Sequence, residues 1–198
     1  MTNVNFLLFD DFETLDLFGP VEVLGQVGSF KLNYYSLHGG IVLSRQKASI
    51  ITNGINEADK TGILFVPGGQ GTRIVINNTE FMSHLNSLAN ESTNCLTVCT
   101  GSALLAKTGA LKGHRATSNK IAFDWVKSVD PEVEWVEEAR WVVDGKFYTS
   151  SGVSAGIDMT LGFVADLLGH ETAQKIADHI EYVWNSDKTK DLFCRKNK

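Results

Sequence analysis

The stretch Cys95-Leu96-Thr97-Val98-Cys99-Thr100-Gly101-Ser102-Ala103-Leu104-Leu105-Ala106-Lys107 decides how the rest of the chain is read. Its first four residues predict a buried strand and its last five a helix. Between them stand one reactive side chain, Cys99, and the small residues Gly101 and Ser102, which leave room for a sharp bend. This order resembles a nucleophile elbow, in which the turn pushes the reactive side chain out above a sheet. A cysteine is an effective nucleophile near neutral pH only when its pKa is lowered, and the free N–H groups at a helix N-terminus do this. Burial as a small hydrophobe is the common fate of cysteine. That reading is taken for Cys95, while the elbow context favours a nucleophile at Cys99.

Outward from the elbow, short apolar runs alternate with helical patterns. Val4 to Phe9 predicts a first strand, followed by helical spacing over Thr14 to Gly28, where Pro20 should kink the helix or start a new turn. Phe30 to Leu37 alternates as a second strand, and Ile41 to Leu43 with Ala48 to Thr52 predicts a hairpin excursion. Gly62 to Val66 is a buried strand stopped by Pro67-Gly68-Gly69, and Thr79 to Ala89 an amphipathic helix. Beyond the elbow come a helix over Ile121 to Val129, short strands at Glu134 to Val136, Trp141 to Val143 and Phe147 to Thr149, and closing helices at Ala155 to Leu168 and Thr172 to Trp184. Strands alternating with helices predict an α/β fold, a mostly parallel sheet covered on both faces. With 198 residues, 43% hydrophobic and no linker, the expectation is one domain over 1–187 and a fraying tail over 188–198.

Open parallel sheets bind ligands beyond the carboxyl ends of their strands, so residues following the first strand, Val66 and Val98 should share one cleft. Gly68, Gly69 and Gly71 could there present backbone N–H groups to a developing negative charge, although a plain loop fits the same string. The string lacks the lysine and spacing of a P-loop. Asp16, between Leu15 and Leu17, could be carried into the cleft for acid–base work. An acid in a first helical turn also simply favours the helix dipole.

The bulk composition excludes other classes. A net charge of -5 with scattered basic residues gives no footprint for nucleic acid. The N-terminus carries no secretion signal, no eighteen apolar residues occur in a row, and three cysteines without a bridgeable pair fit a reducing cytosol. The five histidines show no paired spacing, so neither a metal nor another cofactor is expected.

The strings LDLFGPVEVL (15–24), VPGGQGTR (66–73), VCTGSALLAKTGALKG (98–113) with RAT (115–117), and RWVVDGKFYTSSGVSAGIDMTL (140–161) together resemble the ThiJ/PfpI superfamily, relatives of class I glutamine amidotransferases. The likeness runs from Val4 to Trp184 and is greatest to isonitrile hydratases and to the amidotransferase-like domains of AraC-type regulators. It implies a flavodoxin-like three-layer sandwich and a homodimer acting on a small molecule. It also implies Cys99 as nucleophile, Thr100 as adjoining site residue, Asp16 as the acid that bonds the thiolate or moves protons, Gly69 and Gly71 facing the elbow, and Val153 and Ser154 lining the pocket. Two departures stand out. Thr100 occupies the position of the histidine in PfpI-type peptidases, which removes their Cys-His dyad, and Asn119 lies in the segment where other members carry a histidine. Asn119 can hydrogen-bond but cannot shuttle a proton. The implied activity is water addition to an isonitrile. A redox sensor working through Cys99 oxidation and a non-catalytic ligand-binding domain are the alternatives.

Overall fold

The computed structural model describes residues 1–194. In chain order the elements are β1 (Thr2–Leu7), α1 (Thr14–Gly25), β2 (Phe30–Ser36), β3 (Gly40–Leu43), β4 (Ser49–Gly54), β5 (Ile63–Val66), α2 (Thr72–Val75), α3 (Thr79–Glu91), β6 (Asn94–Thr97), α4 (Gly101–Lys107), β7 (Arg115–Ala116), α5 (Phe123–Val129), β8 (Glu134–Trp135), β9 (Trp141–Asp144), β10 (Phe147–Ser150), α6 (Ala155–Leu168) and α7 (His170–His179). Eight strands form one sheet in the order β3-β4-β2-β1-β5-β6-β10-β9. The six inner strands run parallel, and β3 and β9 close the two edges antiparallel.

Strands buried on both faces explain why β5 and β6 read as continuous apolar runs. All four β5 residues are buried, and Phe65 packs against Phe6 of β1 with the ring planes tilted by 40°. Helices α1, α6 and α7 pack together in one layer, and α2 to α5 form the other. This is the three-layer α/β arrangement expected. α3 starts where the Asn78 side chain accepts the Phe81 N–H at 3.0 Å, a capping bond that satisfies one otherwise unpaired donor.

The chain order reverses between β1 and β5, since β1 passes through α1 to β2 on one side while β5 and β6 continue on the other. The crevice at such a switch point is where this architecture places ligands. Three segments meet there: the start of α1, the loop after β5 and the elbow after β6.

Several boundaries differ from the sequence reading. α1 ends at Gly25 and runs on through Pro20, whose missing N–H leaves the Asp16 carbonyl without its usual helical donor. α5 begins at Phe123 because the Asn119 side chain captures the N–H groups of Ile121 and Ala122 at 2.9 and 3.0 Å. α7 stops at His179, before a turn in which Glu181 has φ 52°. β7 is an addition and pairs with β8 in a separate two-stranded sheet.

The tail is the largest correction. Up to Cys194 the chain does not fray: the Lys188 carbonyl accepts the Arg140 N–H at 2.9 Å, the Asp191 N–H donates to the Glu138 carbonyl at 2.7 Å, and Asp191 and Cys194 are buried. Residues 195–198 of the predicted tail lie outside the described ones. Among the described residues, no helix is long and apolar enough to cross a membrane.

Candidate active site

The elbow exists as a strained backbone. Cys99 has φ 55°, a left-handed conformation costly for a residue with a side chain, and such strain persists only where surroundings enforce it. Here they do so from both sides. The Cys99 N–H donates to the Ser151 carbonyl at 3.0 Å, and the Cys99 carbonyl accepts the hydroxyls of Ser118 at 2.8 Å and Ser102 at 3.1 Å. Ser118 and Ser151 were missed by sequence reading, because a serine that pins a carbonyl or offers its own leaves no pattern in the chain.

Asp16 is fully buried and reaches the elbow from the first turn of α1. Its Oδ2 accepts the Gly68 N–H at 2.9 Å, and its carboxyl lies near enough to the Cys99 thiol for each group to influence the other's ionisation. Burial pushes the Asp16 pKa up to about 8, against the lowering effect of the Gly68 N–H, with the nearby Glu13 adding to the rise. Oδ1 is buried without a well-formed donor, which makes it the natural seat of the retained proton.

Burial pushes the Cys99 thiol well above its ordinary range, and the Asp16 charge pushes the same way. The backbone N–H groups of Thr100 and Val153 and the Thr100 side chain bond the sulfur and pull downward, but do not offset the desolvation. The two groups share one buried environment, and their protonation is coupled. Val153 has φ 36°, a second strained residue in direct contact with the sulfur.

The glycine loop plays a different part from the one foreseen. The Gly69 N–H donates to the Thr100 hydroxyl at 3.0 Å and the Gly71 N–H to the Asp11 carbonyl at 3.2 Å, so neither amide is free to face an oxyanion. Both glycines serve close packing. Gly69 has φ 129°, and a Cβ there would stand 2.5 Å from the Asp11 carbonyl oxygen, while a Cβ on Gly71 would collide with the Asp10 carbonyl. Gly71→Ala is expected to lower stability by roughly 3 kcal/mol, since a backbone oxygen cannot move aside as a side chain can. A shifted urea midpoint would measure it.

Thr100 ties the two loops together. Its hydroxyl donates to the Gly69 carbonyl at 3.2 Å and lies 3.2 Å from the Thr72 hydroxyl, which itself donates to the Gly69 carbonyl at 2.7 Å. Over the elbow lies a cavity of about 350 Å³ whose lining includes Asn119, Lys120, Ser151, Val153, Ser154 and Phe193. Cys99 forms no part of that lining and is 6% exposed. Val153 and Ser154, which the resemblance assigns to the pocket segment, are in that lining together with Asn119. Asn119 has its side-chain carbonyl engaged and its NH2 group packed against Gly152. Among the described residues, no group of three or more acidic, histidine or cysteine side chains could hold a metal ion.

Lys120 was not anticipated. It is 4% exposed, and its ammonium donates to the Thr117 hydroxyl and the Ala139 carbonyl at 2.8 Å and to the Ser118 carbonyl at 3.3 Å. Burial pulls its pKa down to about 8 while Asp191, 4.0 Å away, opposes the fall.

Comparison with known proteins agrees with this geometry. A model of the DJ-1/PfpI family matches residues 2–166. The isonitrile hydratase of Pseudomonas putida is 29% identical over 180 residues, covering 90% of this chain and 78% of that protein. The HTH-type transcriptional regulator CdhR of Pseudomonas aeruginosa is 30% identical over 180 residues, covering 87% of this chain, which spans about half of the regulator's length. A crystal structure of a ThiJ/PfpI family protein from Pseudomonas syringae superposes with a TM-score of 0.84 at 27% identity, covering 91% of this chain and 75% of that one.

Proposed function

The chain belongs to the DJ-1/PfpI family, and within that family we propose that it is a cysteine-dependent enzyme that adds water to isonitriles, R–N≡C, to give N-substituted formamides. The observation that carries this reading is the buried Asp16 carboxyl set beside the Cys99 thiol, with Thr100 following the cysteine. A peptidase needs a base beside the nucleophile that later protonates an amine, and Thr100 cannot do this. An isonitrile needs a proton delivered to its terminal carbon as sulfur attacks it, which a carboxylic acid next to a thiol supplies.

The scheme balances without any outside reagent. The Cys99 sulfur bonds the terminal carbon, Asp16 gives that carbon its proton, and the thiol hydrogen passes to the carboxylate so formed. The product is a thioimidate, R–N=CH–S. Water then adds to its carbon, one proton goes to nitrogen, the C–S bond breaks, and the sulfur recovers a hydrogen as the formamide R–NH–CHO leaves. The N–H groups of Thr100 and Val153 stabilise charge on sulfur as it enters and departs. A panel of alkyl and aryl isonitriles, assayed for formamide with Cys99→Ala as control, tests the proposal.

Likeness to the regulator favours a second reading, a ligand-binding domain that saturates with an isonitrile-sized ligand and turns nothing over. The same panel separates the two. A redox role receives less support, since Cys99 is only 6% exposed and so is poorly placed to meet an oxidant. We further infer a homodimer in the cytoplasm. Leu15 and Phe18 of α1 are 41% and 42% exposed beside the site, apolar surface that a second copy would cover. Light scattering should give twice the 21.7 kDa chain mass at micromolar concentration.

A further inference from the structure

We propose that residues 188–194 form a strap that closes one wall of the cavity, with Phe193 gauging the apolar group of the substrate and Asp191 joining Phe193 to the buried Lys120. The strap deepens the enzymatic reading of this site and rests on it for the identity of the substrate. The family match covers residues 2–166 and does not include this wall.

Asp191 is the joint. Its Oδ1 accepts the Phe193 N–H at 2.9 Å, and its Oδ2 faces the Lys120 ammonium at 4.0 Å. Both charged residues are buried, 1% and 4% exposed, and separating such a pair is costly. The strap is therefore held in register with the segment that carries Ser118, the residue bonded to the Cys99 carbonyl. Backbone bonds from Lys188 and Asp191 to the 138–141 segment fix its other side.

Phe193 lines the cavity yet remains 62% exposed, and Ile121 on the same rim is 89% exposed. A cavity wall that shows water this much apolar surface gains by burying it against a ligand. The lysine in the lining directs its three hydrogens at Thr117, Ser118 and Ala139, and so does not recruit an anionic group. The class that fits is a neutral molecule whose bulky alkyl or aryl group lies along Phe193.

The experiment compares Phe193→Ala, Asp191→Asn and the double variant with the unaltered protein by two selectivity ratios. One is kcat/KM for phenyl over methyl isonitrile. The other is the rate of Cys99 alkylation by N-phenyl iodoacetamide over iodoacetamide, followed by mass spectrometry of the Cys99 peptide. Phe193→Ala should lower both ratios about tenfold, the scale of a lost apolar pocket contact. Asp191→Asn should lower them in part, and the double variant should fall no further than Phe193→Ala alone, because both changes remove one wall. Ratios that stay level or rise in Phe193→Ala, or losses that simply add in the double variant, would overturn the strap. If the unaltered protein hydrates no isonitrile, the enzymatic reading fails on its own, and the alkylation ratio still decides the strap. Asp191→Asn keeps an acceptor for the Phe193 N–H but removes the charge facing Lys120, so circular dichroism checks its fold, while exposed Phe193 tolerates truncation and Phe193→Ala alone still decides the strap.

Discussion

Cys99→Ala is expected to abolish formamide production, lowering turnover by roughly 10⁴-fold or more, while the protein still folds and binds substrate. The size follows from the chemistry. Without sulfur no covalent thioimidate forms, and water would have to attack the isonitrile carbon directly in a cavity that offers no activated water. The fold survives because the elbow is held by the Ser151, Ser118 and Ser102 bonds to the backbone of residue 99, none of which involves the side chain. Rapid-quench mass spectrometry of the unaltered protein should trap an adduct on Cys99, and the alanine variant should show none. Hydration persisting in Cys99→Ala would remove the nucleophile from the scheme, whereas binding without turnover in both proteins would favour the ligand-binding domain.

That Cys99 sits on an elbow was readable from the chain, because a strand, a reactive residue and small neighbours impose the bend whatever surrounds them. The layer order and most elements were readable for the same reason, since apolar periodicity is local. What was not readable depends on neighbours distant in sequence. Whether Cys99 is thiol or thiolate turns on the balance between burial and a few N–H groups drawn from Thr100 and Val153. Gly69 and Gly71 were correctly placed beside the elbow, but their amides are bound by Thr100 and Asp11. Lys120 was passed over, and the 188–194 segment was read as a fraying tail. A lysine is exposed by default, and a polar C-terminal stretch frays by default, unless each supplies what the other lacks. Here the lysine needs a buried counter-charge and the strap needs an anchor, so two unfavourable local readings become one stable contact.

Asp16→Asn should stabilise the protein and disable it at once, with both effects governed by pH. In the unfolded chain Asp16 loses its proton near its ordinary value of 3.8, while in the native protein it holds that proton until about 8. Between these values the native state binds more protons than the unfolded one, so stability falls as pH rises across the interval and levels off above it. Each pH unit of that interval is worth about 1.4 kcal/mol, and with relaxation around a buried site the loss at pH 8 is roughly 2–4 kcal/mol. Asparagine keeps an oxygen for the Gly68 N–H and has nothing to ionise. Its gain should therefore be near zero at pH 4 and reach roughly 4–16 °C in Tm at pH 8, as a chain of this size gains about 2–4 °C per kcal/mol. Turnover should drop about 10²- to 10⁴-fold, the usual worth of a positioned proton donor. The wild-type rate should decline above pH 8 as the acid ionises, and Asp16→Asn should lack that limb. Equal melting shifts at pH 4 and pH 8 would mean that Asp16 is ionised in the folded protein, and the acid that hands its proton to the isonitrile carbon would have to be sought elsewhere.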